Sequence, residues 1–157
     1  MKKTFSRKDY VKKYDEVFST YIRLRDSDEK GIVTCPLCWA KIHRKDAQNM
    51  HFIPRWCYAL RRSEENCYWW CLRCNVILHW NYIQYTLWMQ NKFWIEKVNE
   101  MVKKKYEVNK ISTAEIKEWI ETTVEKIIHL ILTKFRNQSE FYSLLNKYGE
   151  RLKNISK

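Results

Sequence analysis

The chain has 157 residues, 45% hydrophobic and 15% aromatic, and its 30 Lys and Arg against 18 Asp and Glu give a net charge of +12. That apolar content supports a real core and argues against disorder, while the charge favours a polyanionic partner, nucleic acid or an acidic membrane surface. No apolar run of about 18 residues exists to span a bilayer, and Met1 to Arg7 lack the apolar stretch of a secretory signal, so a reducing, cytoplasmic setting is expected.

The basic excess is spread along the chain: nine basic against six acidic groups in residues 1–31, seven against three in 32–82, and fourteen against nine in 83–157. Such a spread suits an electrostatic footprint shared by the whole body better than a basic tail. From Phe5 to Arg25, apolar residues at Tyr10, Val11, Tyr14, Val17, Phe18, Tyr21, Ile22 and Leu24 follow three- and four-residue spacings, which predict a helix ended near Gly31. Between Ile32 and Asn81 the period changes to short β-type runs, and all six cysteines, both prolines and three of the four histidines fall there. The helical period resumes at Tyr82, Ile83, Tyr85, Thr86, Leu87, Met89 and Phe93 and runs toward Val102, with Lys103 to Lys105 suited to a helix C-terminus. Ser112 and Glu115 form a capping-box pattern ahead of an apolar stripe at Ile116, Trp119, Ile120, Val124, Ile127, Ile128, Ile131 and Leu132. A last short helix is expected over Glu140 to Leu152. These stripes read as packing surfaces, not cofactor sites.

Cys35-Pro36-Leu37-Cys38 and Cys71-Leu72-Arg73-Cys74 are two CxxC pairs, able to present four thiolates tetrahedrally to one structural Zn2+. A redox CxxC is the weaker reading, because two such pairs occur. Cys57 and Cys67 stand outside the pattern and read as small buried thiols. The segment between the pairs is about twice as long as in a simple zinc ribbon, so it carries an insert. Three stretches follow: an N-terminal helix over 1–31, a zinc-stapled core over 32–82, and a helical extension over 83–157.

Within that core, His51-Phe52-Ile53-Pro54-Arg55, then Glu65-Asn66, then Cys71-x-x-Cys74-Asn75 with His79, is similar to a ββα-metal (HNH) nuclease core. Together with His79 to Asn81, and with Tyr21-Ile22-Arg23-Leu24-Arg25-Asp26 before the first cysteine pair, the set resembles the phage NinG/Rap recombination proteins, over roughly residues 18 to 90. The resemblance implies an α+β fold, with an HNH-like core and a four-cysteine zinc site flanked by an N-terminal helix and C-terminal helices. It also implies a metal-dependent endonuclease acting on branched DNA of the Holliday-junction or D-loop type. His51 would end the first strand and serve as general base, and Asn66 would tie the loop and orient the His ring. If Cys74 opens a helix, Asn75 and His79 lie four residues apart on one face and would hold the catalytic Mg2+ or Mn2+.

Many such sites place a carboxylate or a second His beside the base, whereas Gln48, Asn49 and Met50 precede His51, and the third metal ligand is unidentified. Gln48 offers an amide oxygen but reads more simply as a surface loop residue. Arg55, Arg61, Arg62 and Arg73 flank the site, either as DNA phosphate contacts or as solvated charge, and His43 and His129 read as structural. Resolving a four-way junction needs two cuts, so a homodimer is expected, with the apolar stripe of residues 113 to 132 as its candidate interface. A non-catalytic zinc module that binds nucleic acid is the main rival, favoured by the missing carboxylate. An adaptor for protein partners has no need of the charge and ranks below both.

Composition holds one anomaly. Typical usage would give about 11 glycines, yet the chain has two, beside eight tryptophans. Trp39, Trp56, Trp80 and Trp94 fall where the resembling family tends to carry Gly, and Trp39 follows a CxxC, where a positive-φ turn favours Gly. The expectation is that several of these are native glycines, written as UGA codons and read as Trp; drift toward aromatic residues is the alternative.

Overall fold

The structure is a computed structural model, described over residues 5–77, 82–107, 110–135 and 139–155. Its elements are α1 (Arg7–Asp26), β1 (Ile32–Thr34), β2 (Lys41–His43), β3 (Gln48–His51), β4 (Cys67–Trp70), a π-helical turn (Arg73–Ile77), α2 (Tyr82–Lys104), α3 (Thr113–Lys134) and α4 (Ser139–Ile155). The class is therefore mixed helix and small sheets, α+β. The chain folds as two compact units, Met1–Arg25 with Lys110–Lys157, and Asp26–Asn109. Sequence boundaries drawn after residues 31 and 82 do not coincide with these units. Helix α2 belongs with the cysteines, because its Tyr85 and Met89 are buried in their core, and α1 joins α3 and α4.

In the helical unit, α1 buries Tyr14, Val17, Phe18, Tyr21, Ile22 and Leu24, the stripe its spacing dictates. Tyr14 meets Trp119 of α3 at 6.0 Å, and Lys134 of α3 donates to the carbonyls of Leu24 and Arg25 at 3.3 and 3.1 Å, placing a cation at the negative end of α1. Ser112 caps α3: its hydroxyl accepts from the Glu115 N–H at 3.2 Å, and its own N–H donates to the Glu115 carboxylate at 2.7 Å. Those bonds hold the Glu115 carboxyl below its ordinary range. Ile116, Ile120, Thr123, Val124, Ile127 and Ile131 of α3 are buried within this one chain. The stripe of residues 113 to 132 is thus used in intrachain packing rather than presented as a dimer face; Leu132, at its end, is 53% exposed. His129 is exposed on the same helix.

In the other unit, β1 and β2 pair antiparallel with Val33 opposite Ile42, and their connection carries the first cysteine pair. Strands β3 and β4 pair antiparallel with Gln48 opposite Trp70 and His51 opposite Cys67. The long connection between them is the insert, and β4 runs directly into the second cysteine pair. The core joins Val33, Phe52, Ile53, Trp69 and Trp70 to Tyr85, Met89, Val98 and Met101 of α2, with the Trp70 and Tyr85 rings in edge contact at 4.4 Å. Helix α2 is broken inside at Trp94, whose φ of 66° and ψ of 160° are non-helical. Trp39 also lies at positive φ, 60°, and among the described residues the other such position is Gly31 at 73°.

Candidate metal centre and the adjoining histidine site

The hairpin connection and the end of β4 bring Cys35, Cys38, Cys71 and Cys74 together, with all four sulfurs within 4.8 Å of one another. The first knuckle is closed by backbone bonds, Trp39 N–H to the Cys35 carbonyl and Cys35 N–H to the Ala40 carbonyl, both 2.8 Å. The second is closed by the Cys74 N–H on the Cys71 sulfur at 3.4 Å and the Asn75 N–H on the Cys71 carbonyl at 3.0 Å. All four cysteines are free thiols. Cys38 and Cys71 sulfurs lie 3.6 Å apart, far beyond a disulfide bond but close to the edge of about 3.8 Å expected for a tetrahedron of sulfurs about 2.3 Å from zinc.

Burial pushes the Cys71 and Cys74 thiols up, whereas a hydrogen bond from the Ala40 backbone lowers Cys38 to about 7. Bare thiolates this close would repel one another; a dication reverses that balance by favouring all four charged forms. The four cysteines are fitted to hold a metal ion such as zinc, and no other group of three or more potential ligands was found among the described residues. Cys57 and Cys67 are buried elsewhere, with their sulfurs 3.7 and 3.8 Å from the carbonyls of Lys104 and Arg61.

His51 ends β3, and its Nε2 lies 2.9 Å from the Arg61 carbonyl oxygen. A carbonyl can only accept, so Nε2 donates, which in the neutral ring puts the lone pair on Nδ1. Asn66 is fully buried and clamps the insert. Its Oδ1 accepts from the Ile53 N–H at 2.6 Å, and its Nδ2 donates to the carbonyls of Ile53 and Leu60, both at 2.9 Å. Leu60 immediately precedes Arg61, whose carbonyl faces the His51 ring, so one peptide unit separates the Asn66 clamp from the ring's partner.

A cavity of about 460 Å³ opens beside His51, with Asn49, Arg55 and Asn75 also on its wall. Asn75 sits in the π-helical turn, not in the expected α-helix, and its Nδ2 donates to Gln48 Oε1 at 3.2 Å. Single π-helical turns are frequent at functional sites. Gln48 is thus a half-buried residue of β3, not a surface loop residue. Asn49 shares the strand face of His51, two residues away, and its Oδ1 is buried with no hydrogen-bond partner among the described residues. His79 and Trp80 lie outside the described residues.

Of the four arginines, Arg55 lines the cavity and Arg73 is exposed on the π-helical turn. Arg61 is engaged within its own loop: its guanidinium donates to the Arg55 carbonyl at 3.0 Å and lies 5.5 Å over the Tyr58 ring. Arg62 is half-buried. His43 accepts from the Lys45 N–H at 3.2 Å, a local turn contact.

Compared with known protein families, residues 1–131 match the family described as Bacteriophage Lambda NinG protein. The chain belongs to the NinG family. The match spans α1 to most of α3 and so includes both cysteine pairs, His51, Asn66 and Asn75. No curated protein and no solved structure matches this NinG-family chain. Asn49 is the residue of this NinG-family site that sequence reasoning passed over. Its two-residue offset from His51 was the available signal, but that offset carries meaning only once the segment is known to be a strand. None of the described helices is long and apolar enough to cross a membrane.

Proposed function

We propose that this NinG-family protein is a metal-dependent DNA endonuclease with a zinc-stapled, HNH-like ββα core, acting on branched recombination intermediates. One observation carries the reading: the Arg61 carbonyl sets the His51 tautomer so that Nδ1 is the basic nitrogen, on a residue lining a cavity with Asn75. A general base needs that preset lone pair to take a proton from a water attacking the scissile phosphate. The succession β3, insert, β4 and π-helical turn supports a ββα unit, with Zn2+ on Cys35, Cys38, Cys71 and Cys74 as its structural staple.

Asn75 and His79 would hold the catalytic Mg2+ or Mn2+, and the buried Asn49 oxygen, without a partner among the described residues, supports a hard-cation or water site on the same wall. When bound, that ion would stabilise the leaving oxygen as negative charge develops. Arg55, on the cavity wall, and Arg73, exposed on the π-helical turn, would meet phosphates flanking the cut, and Arg61 would serve the loop that presents the base. Making the two cuts that resolve a four-way junction calls for a homodimer, in a cytoplasm where DNA is accessible.

A non-catalytic zinc module for nucleic acid is the second reading, favoured because no Asp or Glu lines the cavity among the described residues. Cleavage of a labelled four-way junction and a matched linear duplex, with Mg2+ or Mn2+, separates the two. Metal-dependent cutting that is lost in His51→Ala, with zinc retained, supports the nuclease; tight binding without cutting supports the module. Steep salt dependence of binding is expected from either and would exclude a protein adaptor.

A further inference from the structure

We infer that residues 39 and 94 are glycine in the protein as its own translation machinery makes it, each encoded by UGA. The backbone at both positions is one that an L side chain resists. At residue 39 the bonds from its N–H to the Cys35 carbonyl and from the Cys35 N–H to the Ala40 carbonyl tie down the turn around a φ of 60°. At residue 94, φ 66° with ψ 160° falls in a region essentially reserved for glycine, because a Cβ crowds the neighbouring carbonyl.

Neither indole gains packing in exchange: Trp39 is 76% exposed and Trp94 79%. The tryptophans elsewhere behave differently. Trp69 and Trp70 are buried, Trp88 meets Tyr68 edge-on at 4.8 Å, and Trp119 packs on Tyr14 at 6.0 Å. Trp56, 60% exposed, falls with the first class by exposure alone. With eight tryptophans in 157 residues, two positions chosen independently would both be tryptophan about once in 400, yet both non-glycine positive-φ positions among the described residues are.

A codon table accounts for the pairing. Tryptophan is UGG, and a table that reads UGA as tryptophan writes an indole wherever the native code uses UGA for glycine. Glycines encoded by GGN, which Gly31 and Gly149 would be, pass through unchanged. The machinery that makes this chain must then hold a glycine-charged tRNA that pairs with UGA. A host with the standard code would stop after Cys38, before Cys71 and Cys74, and could not form the metal centre.

The gene and the native protein provide the test, independently of any nuclease activity. The expected result is UGA at codons 39 and 94, UGG at codons 69, 70, 88 and 119, and glycine at both positions in tandem mass spectrometry of the chain from its native source. UGG at either position, or tryptophan in the native peptides, overturns the inference. In a zinc-loaded recombinant chain carrying all eight tryptophans, Trp94→Gly should raise the folding equilibrium constant about fivefold in denaturant titration, since the relieved strain exceeds the added freedom of the unfolded chain. No rise, or a fall, counts against it.

Discussion

The imidazole of His51 hangs from the carbonyl of Arg61, 2.9 Å from Nε2 to oxygen, and Cys67, opposite His51 in the β3–β4 pairing, points its sulfur at the same oxygen from 3.8 Å. One backbone carbonyl in the insert therefore governs the ring that the proposed chemistry uses. Its position depends in turn on Asn66, which holds Leu60 one residue before it.

His51→Ala is expected to lower junction cleavage by roughly 10²–10⁴-fold, the usual contribution of a positioned base. Zinc content and melting temperature should stay close to those of the parent, because the ring is held at a loop carbonyl and is not one of the four cysteines that would hold the zinc. Single-turnover cleavage beside metal analysis checks both halves.

Asn66→Ala should act differently. It removes three buried hydrogen bonds at once and leaves the Ile53 N–H and the Ile53 and Leu60 carbonyls without that partner, a loss of about 3 kcal/mol or more. Urea unfolding measures it. A loss under about 1 kcal/mol would mean that the insert is held by something other than this clamp.

Gln48→Ala takes away the acceptor that orients the Asn75 amide, and with it the preference for Asn75 Oδ1 to face away from Gln48. Removal of such outer partners typically costs about 10- to 100-fold, and the expected signature is a higher Mg2+ or Mn2+ requirement at nearly unchanged stability. Equal loss at saturating metal would contradict a role through the ion.

Proton linkage gives opposite pH trends with and without zinc. In the metal-free protein, burial raises Cys71 and Cys74 above the ordinary thiol value of 9.0. The folded state then keeps protons that the unfolded state releases, and stability falls as pH rises past 9.0. Cys38, lowered to about 7, has the opposite sign: its contribution grows from about pH 7 to 9 and is lost below, but it is small because the sulfur is exposed. Zinc binding must strip the raised thiols and should release roughly two or more protons per ion at neutral pH, so zinc affinity and holoprotein stability fall as the medium is acidified. Calorimetry in buffers of different ionisation enthalpy counts those protons, and a strong chelator should unfold the Asp26–Asn109 unit.

Local chemistry made several features legible in the residue order. The CxxC pairs announced a metal centre because three-residue spacing alone lets two sulfurs converge, and Ser112 with Glu115 announced the start of α3 because a capping box needs only its own turn. The stripe of α1 was readable for the same reason, as 3.6-residue periodicity is local. Register and long-range packing were not. Which helix covers the cysteine core, and whether the α3 stripe faces a partner or its own chain, depends on contacts between segments far apart in sequence. Gln48 read as a loop residue, and Asn49 carried no reading, until pairing with Trp70 and Trp69 made them a strand, one presenting an acceptor to Asn75 and the other an oxygen with no partner among the described residues beside the cavity. The sequence by itself determined the four cysteines that could hold a metal, the helical periods and the excess of tryptophan over glycine. Only the tertiary structure decided where each side chain points and which backbone positions are strained, because φ and burial belong to the folded chain, not to residue order.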